Sequence, residues 1–289
     1  MQDFAVPVSS SLLIDDLLES LPKILKGQDL TDLIDSMILA YRQQKPVIAM
    51  LGGHVVKYGL SPILIDLMQI GVISALVFNG STAIHDFEIG MIGETSEDVE
   101  LNIQTGHFGM AEETGRLMNH ASIQAVRDGT GLGEGFAQAL WNLSPPYAEA
   151  SLMVQAQKLN IPITVHVAIS TDIIHQHPTA DGAAIGKASF DDFRLLTSIV
   201  ADLGSGGVVL NFGSAVILPE VFLKSLTVAC NLGHAVRQFT TANFDMVNHY
   251  RPQENVVRRP TSDGGQGFTF CGHHEIMIPL LAAGVRVGL

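Results

Sequence analysis

Apolar residues along this chain fall in short unbroken runs, each closed by glycine or by small hydrogen-bonding residues. Val47 to Leu51 and Ser74 to Phe78 are two such runs. Between them lie a glycine loop, Gly52 to Gly59, and an apolar helical pattern from Ser61 to Gly71; a polar loop, Asn79 to Glu88, follows. Strands with no polar position have both faces covered, which is the mark of a parallel βαβ unit. In such a unit both loops open at the carboxyl ends of the strands, where open α/β sheets bind small molecules.

The rest of the chain extends the pattern. Ser9 to Lys26 carries Leu13, Ile14, Leu17, Leu18, Leu21, Ile24 and Leu25 at helical spacing, with Pro22 as a kink or split. Thr31 caps a second helix running to Arg42. Thr95-Ser96-Glu97-Asp98 caps a helix in a polar stretch, and a helix runs from Ala111 to Gln124. Gly129 to Gly135 reads as a flexible connection or, less well, as a phosphate cradle, because Glu134 stands where a dinucleotide fingerprint has its third glycine. Helices follow at Phe136 to Asn142, Ala148 to Leu159, Phe190 to Leu203, Pro219 to Cys230 and Ile276 to Val285. Strands are expected at Ile161 to Ala168, Gly207 to Leu210 and Val236 to Phe239. Thr171 to Lys187 reads as a long polar loop, and Arg251 to Gly267 as a polar excursion. All five strands end in small or polar residues, a lined rim of the kind a dinucleotide needs. The expected fold is α/β: one domain over 1–289, with a helical extension (1–44) and a Rossmann-like, mostly parallel core (45–289) carrying helices on both faces.

Composition narrows the class. Of 289 residues, 47% are hydrophobic and 16% charged, enough apolar material for a fully buried sheet and for surface covered in an oligomer. No apolar run reaches the ~18–20 residues of a membrane span, and Met1 to Asp16 has acids without a base, unlike a signal peptide. Two cysteines, Cys230 and Cys271, make no disulfide framework, so a cytoplasmic protein is expected. A net charge of −13 argues against nucleic acid and anionic membranes as partners.

Several segments together resemble the deoxyhypusine synthase family. These are Gly53 to Gly59 with its following helix, Val77 to Glu88, and Gln157 to Ile163 with Thr179-Ala180-Asp181-Gly182. Val208 to Ser214, Phe239 to Ala242, Arg251-Pro252-Gln253-Glu254-Asn255-Val256 and His274 to Leu281 complete them. The resemblance is collinear from about Pro46 to about Leu281. It implies a homotetrameric, NAD-dependent transferase fold. By that resemblance Gly53, His54, Val55, Val56 and Lys57 line the nucleotide with Asn79, Gly80, Ser81, Asp181, Gly213, Thr241 and Ala242. Glu254 in the matched segment, with Arg258 and Arg259 of the basic cluster beside it, is expected to face the substrate. The pattern departs where the family does its covalent work: the nucleophilic lysine falls at Pro260, which has no amine, and the stacking tryptophan at Arg258. An acidic ligand of the family's polyamine is replaced by His85. A true deoxyhypusine synthase is therefore not expected.

Several residues carry candidate chemistry. His85, with Asp86 to orient it, is an acid–base pair or a loop histidine bonded to backbone. Lys57, following a strand, is an imine former or base, a phosphate ligand, or simply exposed. His175-x-His177, with Asp172 and Asp181, offers metal-ligand types; two residues apart on an extended segment, both imidazoles face one way. His273-His274-Glu275 is a further ligand set or a helix cap, and no metal is implied by the resemblance. Ser214 lacks a nucleophile-elbow context. Arg251, Arg258 and Arg259 offer a bidentate grip for a carboxylate or phosphate, or pair between subunits with surface acids. The leading expectation is an NAD-dependent enzyme with an altered small-molecule substrate. A non-catalytic nucleotide sensor and a metal-assisted hydrolase are the alternatives.

Overall fold

The computed structural model describes residues 13–289. The first helix predicted from the sequence breaks, as Pro22 suggests, after α1 (Ile14–Ser20), and its last residues join the second predicted helix as α2 (Leu25–Arg42); residues 9–12 of that expectation lie outside the described residues. Thr31 does not cap α2. It lies inside it, its hydroxyl donating to the Gly27 carbonyl one turn back.

The chain then lays down β1 (Val47–Leu51), α3 (Gly53–Lys57), α4 (Ser61–Gln69), β2 (Ala75–Asn79) and α5 (Gly80–Ile92). Next come α6 (Val99–Thr105), α7 (Glu112–Asp128), α8 (Leu132–Asn142), α9 (Leu152–Leu159) and β3 (Ile163–His166). The remaining elements are α10 (Gly182–Val200), β4 (Val208–Phe212), α11 (Ile217–Asn231) and β5 (Thr240–Asp245). The last are α12 (Tyr250–Pro252), which continues as a π-helix over Gln253–Arg258, then β6 (Gln266–Cys271) and α13 (His274–Gly288).

The six strands form one sheet in the order β3-β2-β1-β4-β5-β6, and every pairing is parallel. This is the doubly wound order, with its switch point between β1 and β4. The strands are apolar throughout because both faces are packed. Val47, Ala49 and Leu51 belong to a core with Leu33, Met37, Leu64 and Phe87. Ile48 and Met50 point the other way, into a core with Leu196, Val200, Leu218 and Phe222 of α10 and α11. The α/β reading and the parallel sheet hold.

Several local expectations do not. The two "loops" after β1 and β2 are helices. Asn79 explains the second: its side chain accepts from the Thr82 amide, an N-cap that starts α5 directly at the strand end. The glycine segment is not a flexible connection. A Cβ on Gly133 would lie 2.1 Å from the Ile163 carbonyl oxygen, so this glycine lets α8 press against β3. The Thr171 to Lys187 stretch contains a 3-10 turn (Ile173–Gln176) and the first turns of α10, capped by Asp181. The fifth strand is not the apolar run Val236 to Phe239 but the polar Thr240–Asp245 after it. The polar excursion ends in a strand, β6, that the pattern did not reveal.

Candidate active site

At the switch point the backbones of β1 and β4 emerge side by side. A Cβ on Gly52 would lie 2.4 Å from the Gly213 carbonyl oxygen, so this crest tolerates no side chain there. Gly213 has φ 69° and lies under the buried His274 ring. A Cβ on Gly53 would meet the Ser81 hydroxyl at 2.3 Å and the Cδ2 edge of His85 at 3.0 Å, which brings the start of α3 against α5.

Beside this crest lies a cavity of about 740 Å³. One wall is α5, whose residues Ser81, His85, Glu88 and Ile92 recur every three or four positions and so share a face. Lys57, at the end of α3, closes one side. Thr95, Glu97 and Phe108 come from the segment around α6, Thr114 and Leu117 from α7, and Asp172 and Ile173 from the turn after β3. The lining is acidic: Glu88, Glu94, Glu97, Glu113 and Asp172 stand against the single lysine. A larger groove, about 960 Å³, runs between α7 and α8. It is lined by exposed Gln124, Arg127, Asp128 and Glu134 on two helix surfaces rather than by strand ends, so the site is placed at the smaller cavity.

His85 is the cavity's distinctive group. Its Nδ1 lies 2.7 Å from the Thr95 hydroxyl oxygen, and that hydroxyl donates to Glu88 Oε2. Burial lowers its pKa to about 4, with Lys57 and then His54 adding repulsion, so the ring is neutral at pH 7.

Asp86 points away. It is fully buried, and its carboxylate accepts from the Ser151 hydroxyl at 2.6 Å, the Leu152 amide at 2.7 Å and the Met153 amide at 2.9 Å. Adjacent positions on a helix face apart, which the loop reading overlooked. Asp86 thus ties α5 to the start of α9, and burial raises its pKa to about 6 against those bonds. It does no proton work in the cavity.

The other predicted positions divide. Gly53, Ser81, Asn79, Gly80 and Gly213 stand at the rim. His54 and Lys57 are exposed there, so Lys57 is not the buried, activated lysine considered from the sequence. Val55 and Val56 are fully buried core residues. Asp181 is exposed and accepts from the Ala183 and Ala184 amides as the α10 cap. Thr241 and Ala242 pair with Val209 and Leu210 inside the sheet. Thr241 is four residues, or roughly 13 Å at strand rise, short of the strand end at Asp245. The cause is the misplaced fifth strand, which put these residues in a loop. Arg258 pairs with Glu254, and Arg259 contacts Glu254 at 3.4 Å and Asn255 at 2.8 Å, on the exposed side of the π-helix. Arg251 reaches Glu220 at 3.4 Å. None of these lines the cavity; the arginines pair with Glu220 and Glu254 of their own chain. Pro260 lies in the turn after the π-helix.

The two loop imidazoles do not converge. His175 Nδ1 accepts from the Ser170 and Asp172 amides at 3.2 and 3.3 Å, while His177 reaches the Gly109 carbonyl through Nε2 at 2.8 Å. The segment is a 3-10 turn, not extended, so the two-residue repeat fails. Among the described residues no three of His, Cys, Asp and Glu gather as a metal site would require. No helix among them is long and apolar enough to cross a membrane. Sequence reasoning missed Thr95, Glu88 and Asp172 as cavity residues. The i, i+3 spacing of His85 and Glu88 was the available signal, hidden by reading α5 as a loop.

No family model matches the chain, and no curated protein matches it by sequence. Solved structures do match by fold. A candidate deoxyhypusine synthase from Entamoeba histolytica is similar over 98% of this chain and 96% of its own, with TM-score 0.56 and 10% identity. A candidate LOR/SDH protein from Methanococcus maripaludis S2 is similar over 92% and 72%, with TM-score 0.56 and 17% identity. AgrE, solved as a ternary complex with ornithine and NAD+, is similar over 90% of this chain, with TM-score 0.55 and 14% identity; this chain spans 33% of AgrE. At such identities the likeness shows the shared α/β fold, found among proteins that include a binder of NAD+.

Proposed function

We propose that this protein is a deoxyhypusine synthase-like, NAD-dependent enzyme that oxidises a small amine, and that it is not a deoxyhypusine synthase. The observation that carries the reading is the cavity beside the switch point, where a neutral histidine faces an acidic enclosure. About 740 Å³ suits a small molecule. Its acids, Glu88 and Asp172 foremost, favour a substrate carrying an ammonium group, and they replace the anionic substrate that the arginines suggested. AgrE, of the same fold, has been solved with an amino acid and NAD+ together.

The rim fits a dinucleotide in part. The crest itself is packed against protein, because a Cβ on Gly213 would lie 2.7 Å from Nε2 of the buried His274 and one on Gly52 would meet the Gly213 carbonyl. The start of α5 is already covered: a Cβ on Gly80 would lie 2.0 Å from Asp172 Oδ2. The Gly53 to Lys57 side would therefore hold the nucleotide, where the exposed Lys57 would offer its phosphates a cation. NAD+, when bound, supplies the hydride acceptor. His85 Nε2 takes the proton released as the ammonium nitrogen becomes an imine. Glu88, linked through Thr95, stabilises the imidazolium as it forms. Pro260 leaves no amine for an imine to the enzyme. The homotetramer implied by the family resemblance belongs to the same proposal, and light scattering reads it.

The test is a panel of primary amines and diamino acids followed by NADH absorbance, with wild type and His85→Gln in parallel. Turnover that His85→Gln abolishes supports the reading. NAD binding without turnover of any amine favours the sensing alternative.

A further inference from the structure

His85 is held by two side chains that no motif singles out. Glu88 lies three residues further along α5, and Thr95 arrives from the segment between α5 and α6. Thr95 Oγ1 is 2.7 Å from His85 Nδ1 and donates to Glu88 Oε2, while Glu88 Oε1 accepts from the Thr114 hydroxyl at 3.2 Å. The His85 side chain is 17% exposed and that of Glu88 14%. Water therefore competes weakly for these bonds.

Counting protons fixes the direction of the chain. A hydroxyl has one proton, and the Thr95 proton is given to an acceptor-only carboxylate. Thr95 Oγ1 can then only accept from the imidazole, so Nδ1 carries the ring proton. Nε2, on the ring edge turned toward Gly53, is left with its lone pair. The reverse arrangement, with Thr95 donating to Nδ1, would take the donor from Glu88 Oε2, leave that carboxylate only Thr114, and put the proton on Nε2. That tautomer has no lone pair to offer the cavity.

We propose that Thr95 and Glu88 are positioning residues that hold His85 in the Nδ1-protonated tautomer, so that packing of the Thr95 segment on α5 assembles the base. The role as a base rests on the amine-oxidising reading, whereas the tautomer is a property of the free protein. The Thr95 segment keeps other anchors. Glu97 accepts from the Gly109 amide at 2.6 Å and from Asn102 Nδ2 at 2.7 Å, and Gln176 donates to the Phe108 carbonyl at 2.7 Å. Loss of the Thr95 hydroxyl thus leaves the segment tethered.

The experiment is long-range 1H–15N correlation NMR of the full chain labelled with 15N-histidine, with His85→Gln assigning the signals. At neutral pH, wild type is expected to show a protonated Nδ1 and a bare Nε2 at His85. Thr95→Ser retains that pattern. Thr95→Val lowers the tautomer ratio by about tenfold or more, the worth of one charge-assisted hydrogen bond. Glu88→Ala frees the Thr95 hydroxyl to turn and moves the proton to Nε2. Circular dichroism confirms folding, and if Thr95→Val is unfolded, wild type and Glu88→Ala decide. A wild-type ring protonated at Nε2 overturns the proposal, as does a pattern unmoved in folded Glu88→Ala. NAD titration is a separate readout, so failure of cofactor binding and failure of this tautomer are told apart.

Discussion

At the residue scale, two neighbours on α5 separate chemistry from architecture. His85 faces the cavity; Asp86 faces the core. Asp86→Ala leaves the Leu152 and Met153 amides and the Ser151 hydroxyl without their acceptor in a dry interior. A loss of roughly 2–5 kcal/mol is expected, seen as a lower urea midpoint with the cavity histidine's NMR signals retained in the folded fraction. His85→Gln should do the opposite. Stability changes little, while amine-dependent NADH formation falls by about 10²–10⁴-fold. The wild-type rate should be level through neutral pH. With amine saturating, so that protonation of Asp172 near 6 does not limit binding, it should drop only as the pH falls toward about 4, where His85 takes up its proton. At saturating amine, an acid limb near the ordinary histidine value of 6.5 would contradict this assignment.

At the element scale, close packing replaces the flexibility that glycine content suggested. Gly133 sits in the first turn of α8, and its amide donates at 2.8 Å to the buried Asp192 carboxylate, which also accepts from the Val165 amide. Gly133→Ala would press a methyl group onto the Ile163 carbonyl and part α8 from β3. A cost of about 1–3 kcal/mol is expected from such overpacking, measured as a shifted urea midpoint. Local pattern was legible where burial is uniform: β1, β2 and β4 have no polar position except Asn211 of β4 and the terminal Asn79 of β2. It failed where a strand buries polar groups in pairs. In β5, Asn243 accepts from Asn211 Nδ2 of β4 at 2.7 Å, so two asparagines pair inside the sheet and look like loop residues in the sequence. In β6 an exposed start, Gln266 and Gly267, hid the Phe268 and Phe270 pair that packs inward. For the site, the rim was legible because strand ends carry glycine and asparagine. Its walls were not, since they depend on which face of α5 turns inward and on a segment returning from α6.

At the scale of the whole molecule, buried titratable groups pull stability in opposite directions. Burial lowers the pKa of His166 to about 3 and that of His85 to about 4. Their contribution is complete above the unfolded value of 6.5 and is lost as pH falls toward those folded values. Burial raises Asp172 and Asp86 to about 6 and Asp192 to about 7. Their contribution is complete below the unfolded value of 3.8 and is lost as pH rises through the folded values. Between about 7 and about 4 the two sets offset, so a shallow stability profile is expected. Asp192→Asn removes one stabilising proton uptake. Its urea midpoint should therefore fall more steeply than that of wild type as the solution is acidified over that range.

Central to the proposed function is that a dinucleotide binds at the strand ends beside His85. Calorimetric titration of NAD+ into wild type and Lys57→Ala tests it most directly. The account predicts saturable micromolar binding that Lys57→Ala weakens without altering the thermal midpoint of the free protein. Absence of heat with NAD+, NADH and ADP-ribose alike, in protein shown to be folded, would contradict it.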